Sequence, residues 1–119
     1  MQSKIEKVLN ADYRTEAGRK MVQDVLHKFK PFVEYEGRDV PLDKLEKFAS
    51  IIAAKYNIRP QWITLDTEAS DKTYVYSCSI VSRDTRDWLG TVYGSTLYEL
   101  FAKVVIKMAA EAKATKGKR

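Results

Sequence analysis

Two arginines and a tryptophan lie on one short polar stretch, Ser82-Arg-Asp-Thr-Arg-Asp-Trp88. These are the residue types that dominate binding hot spots. Arg83 and Arg86 suit pairing with a phosphate or carboxylate, and Trp88 suits stacking on a base or filling a partner's pocket. The plainer alternative puts Trp88 in the core and pairs the arginines with Asp84 and Asp87. Strand parity does not choose between them, because Leu89, Thr91 and Tyr93 compete with Trp88 and Val92 for the core side. A further aromatic, Trp62, alternates with Ile63 and Leu65, so Trp62, Thr64 and Asp66 share a face. If that face is open, it is a platform of the kind that sheet-type RNA readers use. We take Arg83, Arg86, Trp88 and Trp62 as the candidate partner contacts.

Charge supplies the second candidate. The 119 residues carry 21 Lys and Arg against 16 Asp and Glu, a net +5. Residues 113–119 hold Lys113, Lys116, Lys118 and Arg119 and no acid, so the first 112 residues carry 17 basic against 16 acidic side chains and are nearly neutral. A short basic terminus attracts polyanions in a salt-dependent way but selects nothing. Lys113, Lys116, Lys118 and Arg119 are therefore the candidate nucleic-acid contacts, and the binding they offer is weak.

Catalysis has little to stand on. His27 is the only histidine, which rules out any site built from two. Its neighbours at helical spacing, Lys20, Gln23 and Lys30, mark a polar face, so it reads as an exposed histidine. No phosphate-cradling GK[ST] loop, CxxC, HExxH or GxSxG is present. Asp66, Asp71, Asp84 and Asp87 are spaced as turn residues, not as a clustered Mg²⁺ site. No catalytic residue, metal or cofactor is expected. Cys78, the one cysteine, cannot form an internal disulfide and favours the cytoplasm. The first ten residues lack a signal peptide's apolar core, and no stretch approaches the ~20 apolar residues of a membrane span.

The elements that must position these residues follow from periodicity. Ser3-Lys-Ile-Glu6 has capping-box spacing, with Ile5, Val8 and Leu9 on a turn or two. A helix over 15–30 puts Ala17, Met21, Val22, Val25, Leu26 and Phe29 on one stripe, and Pro31 ends it. Residues 32–40 read as a small hairpin or extended segment turning at Glu36-Gly37. Pro41 opens a helix over 42–56 with Leu45, Phe48, Ala49 and Ile52 inward. The period then changes to two. Strands are expected at 61–67, 73–82 and 87–93, and the two short connections imply an antiparallel meander. A closing helix over 96–113 starts with the capping box Thr96-Leu-Tyr-Glu99. Leu97, Leu100, Phe101, Val104, Val105 and Met108 form its apolar face, and Glu99–Lys103 and Lys107–Glu111 are i,i+4 pairs on its wet side. The expected fold is α+β, ααβββα: N-terminal helices, a three-stranded antiparallel meander and a long C-terminal helix packed on the sheet. It forms one domain over 1–112 with a basic tail at 113–119. Three amphipathic helices for three strands favour a sheet covered on both faces.

The stretch from Trp88 to Met108, with Gly94-Ser95-Thr96 entering a helix and Glu99 three residues on, resembles the G-x-T-x-x-E junction of small phage α/β-sandwich accessory domains. It is also similar to the HicB-type antitoxin fold. The likeness covers about 50 residues at the C-terminal end, and Leu100 stands where those families commonly have Ala. A βββα ending also resembles double-stranded-RNA-binding domains, but those start the last helix with lysines, and here the first lysine is Lys103. The phage resemblance implies a non-enzymatic accessory protein from a phage or prophage. Such a protein inhibits or modulates a host defence or nucleic-acid-processing protein by occluding its surface, in the manner of an anti-CRISPR. The partner is then a host or phage protein, alone or within a nucleoprotein complex. The alternative is a direct DNA- or RNA-binding domain using the sheet or hairpin tip together with the basic tail.

Overall fold

The computed structural model describes residues 4–56, 58–65, 76–82 and 85–117, with the backbone alone for 59–65 and 113–117. In chain order these residues form α1 (Lys4–Leu9), α2 (Glu16–Leu26), a 3-10 helix (Lys30–Tyr35), α3 (Leu42–Tyr56), β1 (Ile58–Leu65), β2 (Tyr76–Ser82), β3 (Trp88–Gly94) and α4 (Leu97–Gly117). The protein is a mixed helix-and-strand fold with a long C-terminal helix.

Helix α4 is the hub. It packs against β3, β2 and β1 on one side and against α3, α1 and α2 on the others. Leu100, Ala102, Val104, Val105, Ile106, Met108 and Ala112 are all buried, which encircles the helix instead of marking one stripe. A helix apolar nearly all round belongs inside a protein. Leu97, assigned to its core face from spacing, is exposed at the end, and Phe101 is half-buried. Of the N-terminal helices, α1 and α2 pack on α4, while α3 packs on both α4 and β1.

That burial corrects the reading of Glu99 and Lys103. Both side chains are sealed from solvent, and Lys103 Nζ lies 2.7 Å from Glu99 Oε2. Nζ also donates to the carbonyl of Ala11 at 2.7 Å, tying the α1–α2 loop to α4. Glu99 Oε1 accepts from Ser95 N at 3.0 Å and Ser95 Oγ at 2.7 Å, while Glu99 N donates to Thr96 Oγ1. The capping-box residues are used, but the carboxylate reaches Ser95, one residue before Thr96, and continues inward to the lysine. Lys107–Glu111, at 2.8 Å, remains a half-buried pair near the surface.

Helix α2 starts at a Thr15 cap, whose Oγ1 accepts from Gly18 N. A Cβ on Gly18 would fall 1.9 Å from the Asp12 carbonyl oxygen, so the loop packs where only a glycine leaves room. The helix stops at Leu26, earlier than the expected Lys30. His27 caps it, and its Nε2 lies 2.8 Å from the carbonyl oxygen of Arg38, so it is half-buried and partnered, not free on a polar face. Gln23, placed on that same polar face from spacing, is buried. Its amide donates to the hydroxyls of Tyr13 and Tyr98, and its Oε1 accepts from Val40 N. The expected hairpin over 32–40 is instead a 3-10 helix opened by Pro31, which drives Phe32 into a cluster with Phe29 and Phe48.

The sheet order is β1-β2-β3 with antiparallel neighbours. Strand β1 begins at Ile58 instead of Gln61. Pro60 is accommodated because β1 is an edge strand, and its pairing to β2 slips between Pro60 and Ile63. The expected connections at 66–75 and the turn residues 83–84 lie outside the described residues.

Candidate functional site

The inner face of the sheet is set by the opposed pairs Cys78↔Val92 and Ile80↔Gly90, and Cys78, Ile80 and Val92 are buried beneath α4. On strict alternation, Trp88 would follow Val92 and Gly90 to that same inner face. It does not. The register shifts between Ile80 and Val81, so Ile80 opposes Gly90 while Val81 opposes Trp88. Leu89 is the extra residue of a β-bulge, and Gly90, at φ 141°, takes a backbone conformation that other residues rarely adopt. The bulge reverses parity and turns Trp88 outward, where it is 67% exposed.

The outer face thus gathers Ser77↔Tyr93, Ser79↔Thr91 and Val81↔Trp88. Tyr93 is 51% exposed, and the serines and the threonine between the two aromatics are half-buried. Trp88 Nε1 donates to Thr91 Oγ1 at 3.0 Å, and Thr91 Oγ1 lies 3.3 Å from Ser79 Oγ. This relay fixes the indole against the strand, so its placement costs little entropy when a partner arrives. Arg59 and Thr64 of β1 oppose Val81 and Ser77 in the backbone register.

The hairpin tip is closed by Arg86 N donating to Ser82 O at 2.8 Å and Ser82 N donating to Asp87 O at 2.9 Å. Arg86 has φ 63°, a left-handed conformation that costs a non-glycine residue about 1 kcal/mol. The side chains of Arg86 and Asp87 are exposed. Of the four expected partner contacts, Arg86 and Trp88 thus come together on one exposed corner. Arg83 and the side chain of Trp62 lie outside the described residues. The expectation that helices cover both sheet faces is corrected on β3, where Trp88 and Tyr93 are exposed.

Strand β3 carries a signal that sequence reasoning passed over. A glycine inside an otherwise regular strand often marks a bulge, and Gly90 decides which way Trp88 points.

The basic cluster is placed elsewhere. α4 continues to Gly117, so Lys113 and Lys116 lie on helix and not on a separate tail, while Lys118 and Arg119 are outside the described residues. Ala112, just before Lys113, lines a groove together with Ile52 and Tyr56 of α3. The structure does not bring this helix end to the outer face.

Among the described residues, no group of three or more His, Cys, Asp or Glu side chains could hold a metal ion, and no helix is long and apolar enough to cross a membrane. Asp66, Asp71 and Asp84 are outside them. Burial raises the phenols of Tyr13 and Tyr98 above their usual range, with hydrogen bonds from Gln23 opposing the shift. Both rings belong to the interior network around Gln23 and are far from the exposed corner in role. No family model, curated protein or solved structure matches the chain.

Proposed function

We propose that this protein is a non-catalytic binding module that engages a protein partner through the outer face of its sheet, with Trp88 as the anchor, Tyr93 beside it and Arg86 at the rim. The observation that carries the reading is the bulge that turns a tryptophan out of the core and holds it against Thr91. A large exposed aromatic, already oriented, is the kind of residue on which binding energy concentrates. Arg86 adds a second argument. Backbone strain retained at an exposed corner is better accounted for by what the side chain does than by stability.

A protein partner is favoured over nucleic acid by the near-neutral charge of residues 1–112 and by the separation of the α4 end from the aromatic face. The finer reading, an accessory protein of a phage or mobile element that acts by covering a surface on a host defence or nucleic-acid-processing protein, rests on the C-terminal resemblance. It is consistent with a cytoplasmic, cofactor-free module.

The test is capture from nuclease-treated host lysate with three forms of the protein: the intact chain, a chain ended after Ala112, and Trp88→Ala/Tyr93→Ala. The reading expects one protein to be held by the first two and lost from the third, with all three melting alike. Loss on truncation alone, or capture that disappears with nuclease, points instead to DNA or RNA.

A further inference from the structure

On the side of the molecule opposite the sheet, α1, α2 and α4 leave a groove of about 210 Å³ whose floor is Ile5, Val25, Phe29 and Ile106. It adjoins a second groove of about 360 Å³ between α3 and α4, and the two share Phe29 and Ala109. The trough continues along Phe48, Ile51 and Ile52, where Ile51 is 51% exposed. Together the grooves fall within the ~300–1,000 Å³ range of small-molecule sites. The alanines of α4 keep the floor low, which is why a channel remains between well-packed helices.

Among the described residues, the charged groups at the rim are all cationic. Lys4 and Lys28 stand at the mouth of the first groove and Lys55, with Tyr56, at the second, and none of the described lining residues is acidic. Both lysines line the same groove, and the like charge of Lys28 beside Lys4 lowers the affinity of Lys4 for its proton. Two ammonium groups at one mouth repel each other, and an anion set between them would relieve that repulsion.

We propose that this trough binds a single-chain fatty carboxylate, with the alkyl chain along the partly exposed Ile5, Phe29, Ala109 and Ala110 and the carboxylate bridging Lys4 and Lys28. The chemistry is complementary at both ends. The chain covers apolar surface that the fold leaves open, and one carboxylate accepts from both lysines. The site is independent of the outer sheet face, and either can fail without the other.

Dodecanoate, titrated below its micelle concentration into the full chain, is the probe, followed by calorimetry and by amide NMR shifts. The expected result is saturable one-to-one binding with shifts centred on Ile5, Phe29, Ala109 and Ala110. Dodecanol should bind about five- to tenfold more weakly, and each methylene removed from the carboxylate should cost about twofold to fourfold in affinity. Lys4→Gln/Lys28→Gln changes only exposed side chains, and should erase the preference for the acid while leaving dodecanol binding unchanged. Ala109→Phe should block both ligands. The proposal is overturned by absence of saturable dodecanoate binding, by shifts confined to another surface, by dodecanol binding as tightly as dodecanoate to the intact chain, or by unchanged binding in Ala109→Phe.

Discussion

Replacing Lys103 with methionine tests the interior of this protein more sharply than any apolar truncation. Methionine has nearly the same length and fills the same channel, so the change removes charge and little volume. It leaves Glu99 Oε2, sealed from solvent, without the ammonium now 2.7 Å away, and the Ala11 carbonyl without its donor. Breaking a buried pair by removing one partner costs about 3–5 kcal/mol, and the orphaned carbonyl adds about 1. An exposed i,i+4 pair would lose only about 0.3–0.5 kcal/mol. Against a typical stability of ~5–15 kcal/mol, Lys103→Met should still fold but with a melting temperature roughly 16–24 °C lower. Glu99→Gln/Lys103→Met should recover at least ~1–2 kcal/mol of the loss, because the amide keeps an acceptor for Ser95 and carries no charge. Urea titration of the four proteins in the cycle measures this. If Lys103→Met costs less than ~0.5 kcal/mol, or the double variant is no more stable than the single, the pair is not buried and the placement of α4 as a central helix is wrong.

Gly18→Ala should destabilise by about 2 kcal/mol or more in thermal melts, although alanine in a helix ordinarily gains about 1, because its methyl group meets the Asp12 carbonyl. Arg86→Gly should stabilise by ~0.5–1 kcal/mol by removing left-handed strain, while weakening partner capture. The folded-state phenol of Tyr98 titrates above its unfolded value near 10, chiefly through burial. A raised pKa gives stability that is complete below pH 10 and is lost as pH climbs above it, so alkaline unfolding should begin there. It should be shallower in Tyr98→Phe, read by circular dichroism from pH 8 upward.

The helices were legible where one stripe of apolar residues followed a clear start, as in α3 after Pro41. They were misread where polar residues go inward. Gln23 and Lys103 look like wet-side residues in any periodic plot, and only tertiary contacts, with the Tyr13 and Tyr98 hydroxyls and with Glu99 and Ala11, satisfy them in the interior. A signal for α4 was present, since Ala102, Ile106, Ala109 and Ala112 fill the gaps around its main stripe and leave few positions for solvent. The segment after Pro31 was mistaken for extended chain because Phe32-Val-Glu-Tyr alternates in polarity over too few residues to separate a strand from a 3-10 turn. At the exposed corner, the sequence supplied Arg86 and Trp88 as residue types, while the direction of Trp88 depended on a one-residue register shift at Gly90. Parity arguments have no access to such a shift. The grooves behind α4 were not foreseen, because they arise from how three helices meet and not from any one of them.

The most direct test of the outer face is site-specific cross-linking in nuclease-treated host lysate. A photoreactive benzoylphenylalanine is placed at position 87, where the side chain is exposed beside the intact Trp88, with the same probe at position 20, on α2 and away from the sheet, as the control. The account predicts a discrete covalent protein adduct from position 87, competed away by unlabelled intact protein and not by Trp88→Ala/Tyr93→Ala. An adduct from position 20 with none from position 87, in a chain that melts normally, would contradict it.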